Sequence, residues 1–145
     1  MSAKPAAAAG LDGIPNNKLL VQYAVDGNTA TRFTDGQSQV GGEYFQIDLC
    51  RDLYVSGITV NDTVDTTDVA TSYEVDVSLD GICWKSVFNS PTAASTDQLV
   101  TFPAVSARYV RYIQTGNDST VPTMPWFSID ELTVQCGTAP ADAGQ

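Results

Sequence analysis

Histidine is missing from this 145-residue chain and cations are scarce: 7 Lys plus Arg stand against 17 Asp plus Glu, for a net charge of −10. Without an imidazole there is no Ser-His or Cys-His nucleophile pair and no His-ligated zinc, which removes most hydrolase designs. A surface so poor in positive charge cannot neutralise a run of phosphates, so nucleic acid and anionic membranes are excluded as partners. Long apolar runs are lacking too. Although 43% of the residues are hydrophobic, no stretch approaches the roughly 18 residues that a membrane span requires. Carboxylates remain in quantity, and they suit calcium or carboxylate-pair catalysis. The acids gather only at Asp62, Asp65 and Asp68, and a short chain with long loops makes a shallow site rather than a cleft around a sugar ring. A glycosidase is therefore not expected, and the chain reads as a non-enzyme.

The length corresponds to one domain. Both ends, MSAKPAAAAGL and GTAPADAGQ, are Ala/Pro/Gly-rich and short of strongly apolar residues. They read as a flexible flank over 1–14 and a linker remnant over 137–145, around a folded module at 15–136. Within the module the hydrophobic period is two. Phe45, Ile47 and Leu49 alternate with Tyr44, Gln46 and Asp48, and Tyr73, Val75 and Val77 with Glu74 and Asp76; both patterns predict half-buried strands. Further strands are expected at Tyr54–Val60, Cys83–Phe88, Gln98–Phe102, Ala107–Gln114 and Glu131–Cys136, with a hairpin turn at Leu79-Asp80-Gly81. The expected fold is all-β, an antiparallel jelly-roll β-sandwich of about eight strands. Its long connections, Phe33–Gly42, Asn61–Thr71, Asn89–Asp97 and Thr115–Phe127, are where function is expected.

Four segments, in order, carry a family likeness: Ala24-Val25-Asp26-Gly27-Asn28-Thr29-Ala30-Thr31-Arg32-Phe33; Gly42-Glu43-Tyr44-Phe45-Gln46-Ile47-Asp48-Leu49; Tyr73-Glu74-Val75 with Ser78-Leu79-Asp80-Gly81 and Trp84; and Ala107-Arg108-Tyr109-Val110-Arg111-Tyr112 with Ile129-Asp130-Glu131-Leu132-Thr133-Val134. Together they resemble the discoidin domain, also called the coagulation factor F5/8 type C domain, whose bacterial relatives are the family 32 carbohydrate-binding modules. The resemblance implies an eight-stranded jelly roll without catalysis, binding carbohydrate through loops at one end. It also implies a monomeric module beside catalytic or surface domains of a larger secreted or cell-surface protein. The alternative within the same family is an adhesion-type domain that docks another protein. Three departures stand out. Cys50 occupies a position where the family usually has Gly, Phe33 one where Trp is commonest, and the binding loops hold no His, which counts against galactose itself.

Asp26-Gly27-Asn28 followed by Thr31 offers a carboxylate, carbonyls and a hydroxyl in one turn, the all-oxygen donor set of Ca²⁺. A solvated Asx turn is the alternative. Similar modules hold one structural calcium through this loop and a Glu of the last strand. The resemblance thus implies a Ca²⁺ bound by Asp26, Glu131, Thr31 and the carbonyls of Tyr23 and Asn28.

For the sugar, the resemblance points to an aromatic just before the last strand. Trp126 and Phe127 fit; of the two, Trp126 is expected to face the ligand and Phe127 the core. Asn117 in the same loop, and Asn61, Asp62 and Asp65 in the preceding one, are the candidate polar contacts. Such acids would repel uronates or sulfated glycans and favour a neutral sugar, galactose-type or a related terminal glycan. Arg32 is a further candidate, with a structural ion pair as its alternative; Arg108 and Arg111 read as scaffold, Arg108 or Arg111 pairing with Asp48. The three cysteines allow three pairings. The positions of Cys50 and Cys136 in the family pattern favour that bridge, leaving Cys83 as a small buried filler.

Overall fold

A computed structural model describes residues 2–5, 21–63, 66–117 and 126–141. Eight strands are present among them: β1 (Ser2–Pro5), β2 (Phe33–Ser38), β3 (Tyr44–Asn61), β4 (Tyr73–Ser78), β5 (Lys85–Ser90), β6 (Asp97–Gln114), β7 (Trp126–Ile129) and β8 (Glu131–Cys136), with a 3-10 turn at Val21–Ala24. No helix among the described residues is long and apolar enough to cross a membrane.

The frame is the antiparallel pair of β3 and β6, each 18 residues long. Their register slips between Asp48 and Leu53, dividing the ribbon into two arms: Tyr44–Asp48 opposite Tyr109–Ile113, and Leu53–Asn61 opposite Asp97–Ala107. The first arm is widened by β1 on one side and by β4 and β5 on the other, and β8 pairs with the second arm of β3. β2 and β7 form a separate two-stranded sheet. Alternation fixes which side is inside: Phe45, Ile47, Val75, Val77, Val110 and Tyr112 of the first arm and Val55, Ile58 and Val60 of the second are buried, and Phe33, Phe127 and Ile129 complete one core.

The bend between the arms is marked by Cys50, the non-glycine residue with positive φ among those described, at 67°. This is the position where the family pattern has Gly, and the reason is the left-handed backbone that the turn requires. Asp48 supports the turn by accepting the Cys50 N–H at 2.7 Å, while Arg108 holds the same carboxylate through Nε at 3.0 Å and Nη2 at 3.1 Å. Those bonds keep the Asp48 carboxyl below its ordinary value. Arg111 lies between the rings of Tyr44 and Trp84, 4.2 and 3.7 Å from their centroids, so both arginines brace the scaffold.

Because the ribbon folds back on itself, Tyr44, Asn61, Asp97 and Gln114 lie at one end. There residue 62 bonds to Thr96, Ala94 to Ala70, and Thr115 to Ser72, and this is the loop end. The other, bend end carries Cys50, the Leu79–Trp84 turn and Gly137, whose N–H donates to the Tyr54 carbonyl at 2.8 Å.

Several expectations change. Tyr54–Val60 is the second half of β3, and Gln98–Phe102 and Ala107–Gln114 are one strand, β6. β2 and β7 fall where connections were expected, and Ser2–Pro5, inside the stretch read as a flank, pair with Phe45–Asp48. The Cys50–Cys136 bridge is not formed: all three thiols are free. Cys136 lies across from Val55 while Cys50 turns outward at the bend. Nor is Cys83 a core filler, since it is exposed in the hairpin turn, its N–H held by Asp80.

Candidate functional site

Trp126 opens β7 at the loop end, and its backbone is held from both sides. Its N–H donates to Asp68 Oδ1 at 3.0 Å, and its carbonyl accepts from Gln39 Nε2 at 2.9 Å. Gln39 is fully buried and also donates to the Val69 carbonyl at 3.0 Å, while its Oε1 accepts from Thr71 N–H at 3.2 Å. Asp68 Oδ2 accepts from Arg32 at 3.1 Å and from Ser128 Oγ at 3.1 Å. Two buried polar side chains thus lock the 68–71 segment to β7 and leave the Trp126 ring half-buried at the loop end. Gly116 adds a close approach: a Cβ there would strike the Thr71 hydroxyl and Ser72, so this glycine lets the two loops touch.

Phe127 faces the other way. It is 1% exposed and packs at 6.3 Å from Phe33 and 6.2 Å from Tyr112 between ring centroids. That removes it from the candidate ligand contacts, because consecutive residues of a strand point to opposite faces. Asp62 is likewise corrected. It is 2% exposed, with neither carboxylate oxygen hydrogen-bonded, so it does not reach a ligand. Burial, with the charge of Asp130 adding, pushes its carboxyl up to about 8. The phenol of Tyr112, deeply buried and near Asp62, is raised for the same reason. Arg32 is tied to Asp68. Asn61 is half-buried and its Oδ1 accepts from Thr63 Oγ1 at 2.9 Å. Asn117 is exposed, and Asp65 lies outside the described residues, as does 118–125 of the loop before Trp126.

Of the expected calcium ligands, Asp26, Thr31 and Glu131 meet around the Gly27–Asn28 turn. Asp26 Oδ1 accepts from Asn28 N–H at 2.9 Å and Oδ2 from the Thr31 hydroxyl at 2.8 Å. Glu131 Oε2 reaches across 104 residues to the Gly27 N–H at 3.0 Å. Gly27 has φ of +76°, which permits the tight turn. Thr31 also bonds to the Asn28 carbonyl, at 2.8 Å from its hydroxyl, and Tyr23 sits in the 3-10 turn just before. Burial raises the Glu131 carboxyl, and the Asp26 charge raises it further against the effect of the Gly27 N–H. A divalent ion bound between like-charged carboxylates relieves such repulsion. No group of three or more Cys, Asp or Glu among the described residues is arranged to hold a metal; the expected calcium loop offers two carboxylates, a hydroxyl and backbone carbonyls.

A groove of about 330 Å³ opens at the bend end, lined by Val77, Leu79, Cys83, Lys85 and Val105 among others. Its polar lining includes Ser78, Asp80 and Ser106, but Asp80 Oδ1 is engaged within the hairpin by Ser78, Ile82 and Cys83, and the groove lies away from Trp126.

Residues 14–132 match the model of the F5/8 type C domain. The chain belongs to this family. Among solved structures, chitosan-binding module 2 of a chitosanase/glucanase from Paenibacillus sp. IK-5, in complex with chitotriose, is 25% identical, with a TM-score of 0.66 over 92% of each chain. CpGH89CBM32-5 from Clostridium perfringens, in complex with GalNAc-β-1,3-galactose, has a TM-score of 0.69 at 17% identity, covering 92% of this chain and 91% of that one. A truncated AlyQ with CBM32 and alginate lyase domains aligns over 95% of this chain and 32% of its own, with a TM-score of 0.65 at 22% identity. No curated protein is significantly similar to the chain. For this F5/8 type C domain, sequence reasoning named Trp126, Asp26 and Glu131 as candidates and did not single out Asp68 and Gln39, which hold the Trp126 backbone. Their partners lie 58 and 87 residues away, and no local spacing announces them.

Proposed function

We propose that this F5/8 type C domain is a non-catalytic carbohydrate-binding module. It recognises a non-acidic terminal sugar at its loop end and holds attached domains of a larger secreted or surface protein against a glycan. The observation that carries the reading is the fixing of Trp126 by Asp68 and Gln39. A half-exposed indole is the group that stacks on the CH face of a sugar, and holding its backbone in place beforehand reduces the entropy lost on binding. Asn117 and Asn61 stand at the same end as planar polar groups for hydroxyls. The loops are acidic, which disfavours uronates. Family membership and the fold likeness to modules bound to chitotriose and GalNAc-β-1,3-galactose support the ligand class, and the AlyQ match supports attachment to a catalytic domain.

The bound calcium of the proposal is held by Asp26, Glu131, Thr31 and the Asn28 and Tyr23 carbonyls. It joins the start of the module to its last strand and supplies stability rather than chemistry. Linking the module to an enzyme raises the local concentration of that enzyme at the glycan. A glycan array with the wild-type chain and Trp126→Ala tests the reading. Binding to neutral or amino-sugar glycans is expected, with loss in the variant. Wild-type silence on every glycan overturns the carbohydrate assignment, and an unaffected variant overturns the site.

A further inference from the structure

The hairpin between β4 and β5 carries, at Ile82, the most exposed large apolar side chain among the described residues, 81% accessible. Its position is held by a set of local bonds. Asp80 Oδ1 accepts the N–H groups of Ile82 and Cys83, each at 2.8 Å. The Ser78 hydroxyl donates to the Cys83 carbonyl at 2.6 Å and accepts from the Gly81 N–H at 2.9 Å. Gly81, at φ of +75°, supplies the left-handed residue that the turn needs. A firmly tied turn therefore holds an isoleucine out in water, where apolar surface is unfavourable. Beside it lies the groove of about 330 Å³, walled by Val77, Leu79 and Val105, with Leu79 itself 53% exposed at the rim. This groove shares Lys85 and Val105 with a second of about 270 Å³, walled by Val87 and Phe102. An apolar knob and an apolar trough thus adjoin on one hairpin.

We infer that the bend end is the interface of a two-fold dimer of this chain, with Ile82 of each copy seated in the groove of the other. Because knob and groove adjoin, a single two-fold operation fills both grooves at once, which is the self-complementarity that a closed dimer requires. Held outward through Asp80, Ile82 leaves its own groove to be filled by another chain. Charge favours the same partner. The chain carries −10, so two copies repel over most approaches. At the bend end the charges offset one another: Asp48 pairs with Arg108, Asp52 follows Arg51, and Asp80 shares the hairpin with Lys85. Asp80 and Lys85 are both exposed and both line the groove. The two-fold sets Lys85 of one copy against Asp80 of the other, twice, so the rim is complementary to itself. The face is small, and the association is accordingly weak, with a dissociation constant on the order of 10–100 µM. Docking by the bend ends turns the two loop ends outward. Where the carbohydrate reading holds, the dimer presents two Trp126 sites and gains avidity on a dense glycan; the association itself does not depend on that reading.

The test is sedimentation velocity of the chain, its thiols kept reduced, at about 5–500 µM protein and about 150 mM salt. Expected is a monomer–dimer equilibrium that moves toward dimer with concentration. Ile82→Asp places a charge in the apolar groove and weakens the dimer about tenfold or more. Its melting temperature at low concentration is unchanged, because the side chain it replaces is exposed in the monomer. Leu99→Asp makes the same change of charge at a side chain 59% exposed and outside both grooves, and leaves the equilibrium as it was. The thiol of Cys83 gives a second readout, since it lines the groove: its alkylation by iodoacetamide slows as wild-type concentration rises and does not slow in Ile82→Asp. A chain that stays monomeric at about 500 µM overturns the inference. So does a dimer indifferent to Ile82→Asp, an equal loss in Leu99→Asp, or alkylation of Cys83 at a rate independent of concentration. None of these outcomes touches the sugar-binding reading, which the glycan array decides.

Discussion

Asp68 accepts the backbone N–H of Trp126 at 3.0 Å across 58 residues of chain, and the same carboxylate holds Arg32 and Ser128. One side chain thus ties the β3–β4 loop to β2's approach and to β7. Removing its charge leaves the partly buried Arg32 without its counter-ion and slackens the strand that carries the indole.

Asp68→Asn is therefore expected to lower stability by about 2–3 kcal/mol, read as a reduced denaturant midpoint at unchanged m. At a temperature where the variant remains folded, glycan affinity falls as well, because Trp126 is no longer fixed. A midpoint within experimental error of wild type counts against the clamp.

The strands that alternate were legible in the sequence. Phe45, Ile47, Val75 and Val77 are buried as their period of two requires. β2 and β7 were not legible, because their buried residues do not alternate. Phe33, Thr34 and Asp35 are buried in succession, as are Phe127, Ser128 and Ile129, since this small sheet is enclosed on both faces. The acids misled for a related reason. Asp62 and Asp68 look like a solvated loop, yet both are buried, Asp68 in a network whose members are distant in sequence. At the bend, by contrast, Cys50 at a family Gly position pointed directly to the backbone found there.

That backbone yields a prediction. A side chain at φ of 67° costs about 1–2 kcal/mol, and the extra flexibility of unfolded glycine returns part of it. Cys50→Gly should stabilise the chain by about 0.5–1 kcal/mol in urea unfolding, and Cys50→Val, β-branched, should destabilise it. Destabilisation by the glycine would mean that the bend is not held in this conformation.

Asp62 makes stability depend on pH in an unusual direction. Its carboxyl is pushed from the ordinary 3.8 to about 8 in the folded chain, so between those values the folded state binds the extra proton. Stability contributed by the protonated group is complete below about pH 4, falls as pH rises, and is lost above about 8. Asp48 and Asp80, held below their ordinary values, act in the opposite sense and only at the acid side of pH 4. Asp62→Asn is expected to flatten the melting profile between pH 5 and 8 and to raise the melting temperature at pH 8, with up to about 5 kcal/mol at stake before relaxation. An unchanged slope in the variant would place the titration elsewhere.

Glu131 and Asp26 set the last expectation. Burial, with the Asp26 charge adding, raises the Glu131 pKa, so a divalent ion, which takes the ionised Glu131 carboxylate, binds more tightly as pH rises through that titration. Adding calcium at about 100 times its dissociation constant to the metal-free chain should stabilise it by roughly 2.7 kcal/mol, and a chelator should reverse the gain. Glu131→Gln keeps the side-chain oxygen that accepts the Gly27 N–H but loses the charge; it should melt within a few degrees of the metal-free wild type and show no calcium response. If the variant still gains stability from calcium, or if wild type loaded with calcium melts where the chelated protein does, the loop is a hydrogen-bonded turn that joins the module's first and last segments without an ion.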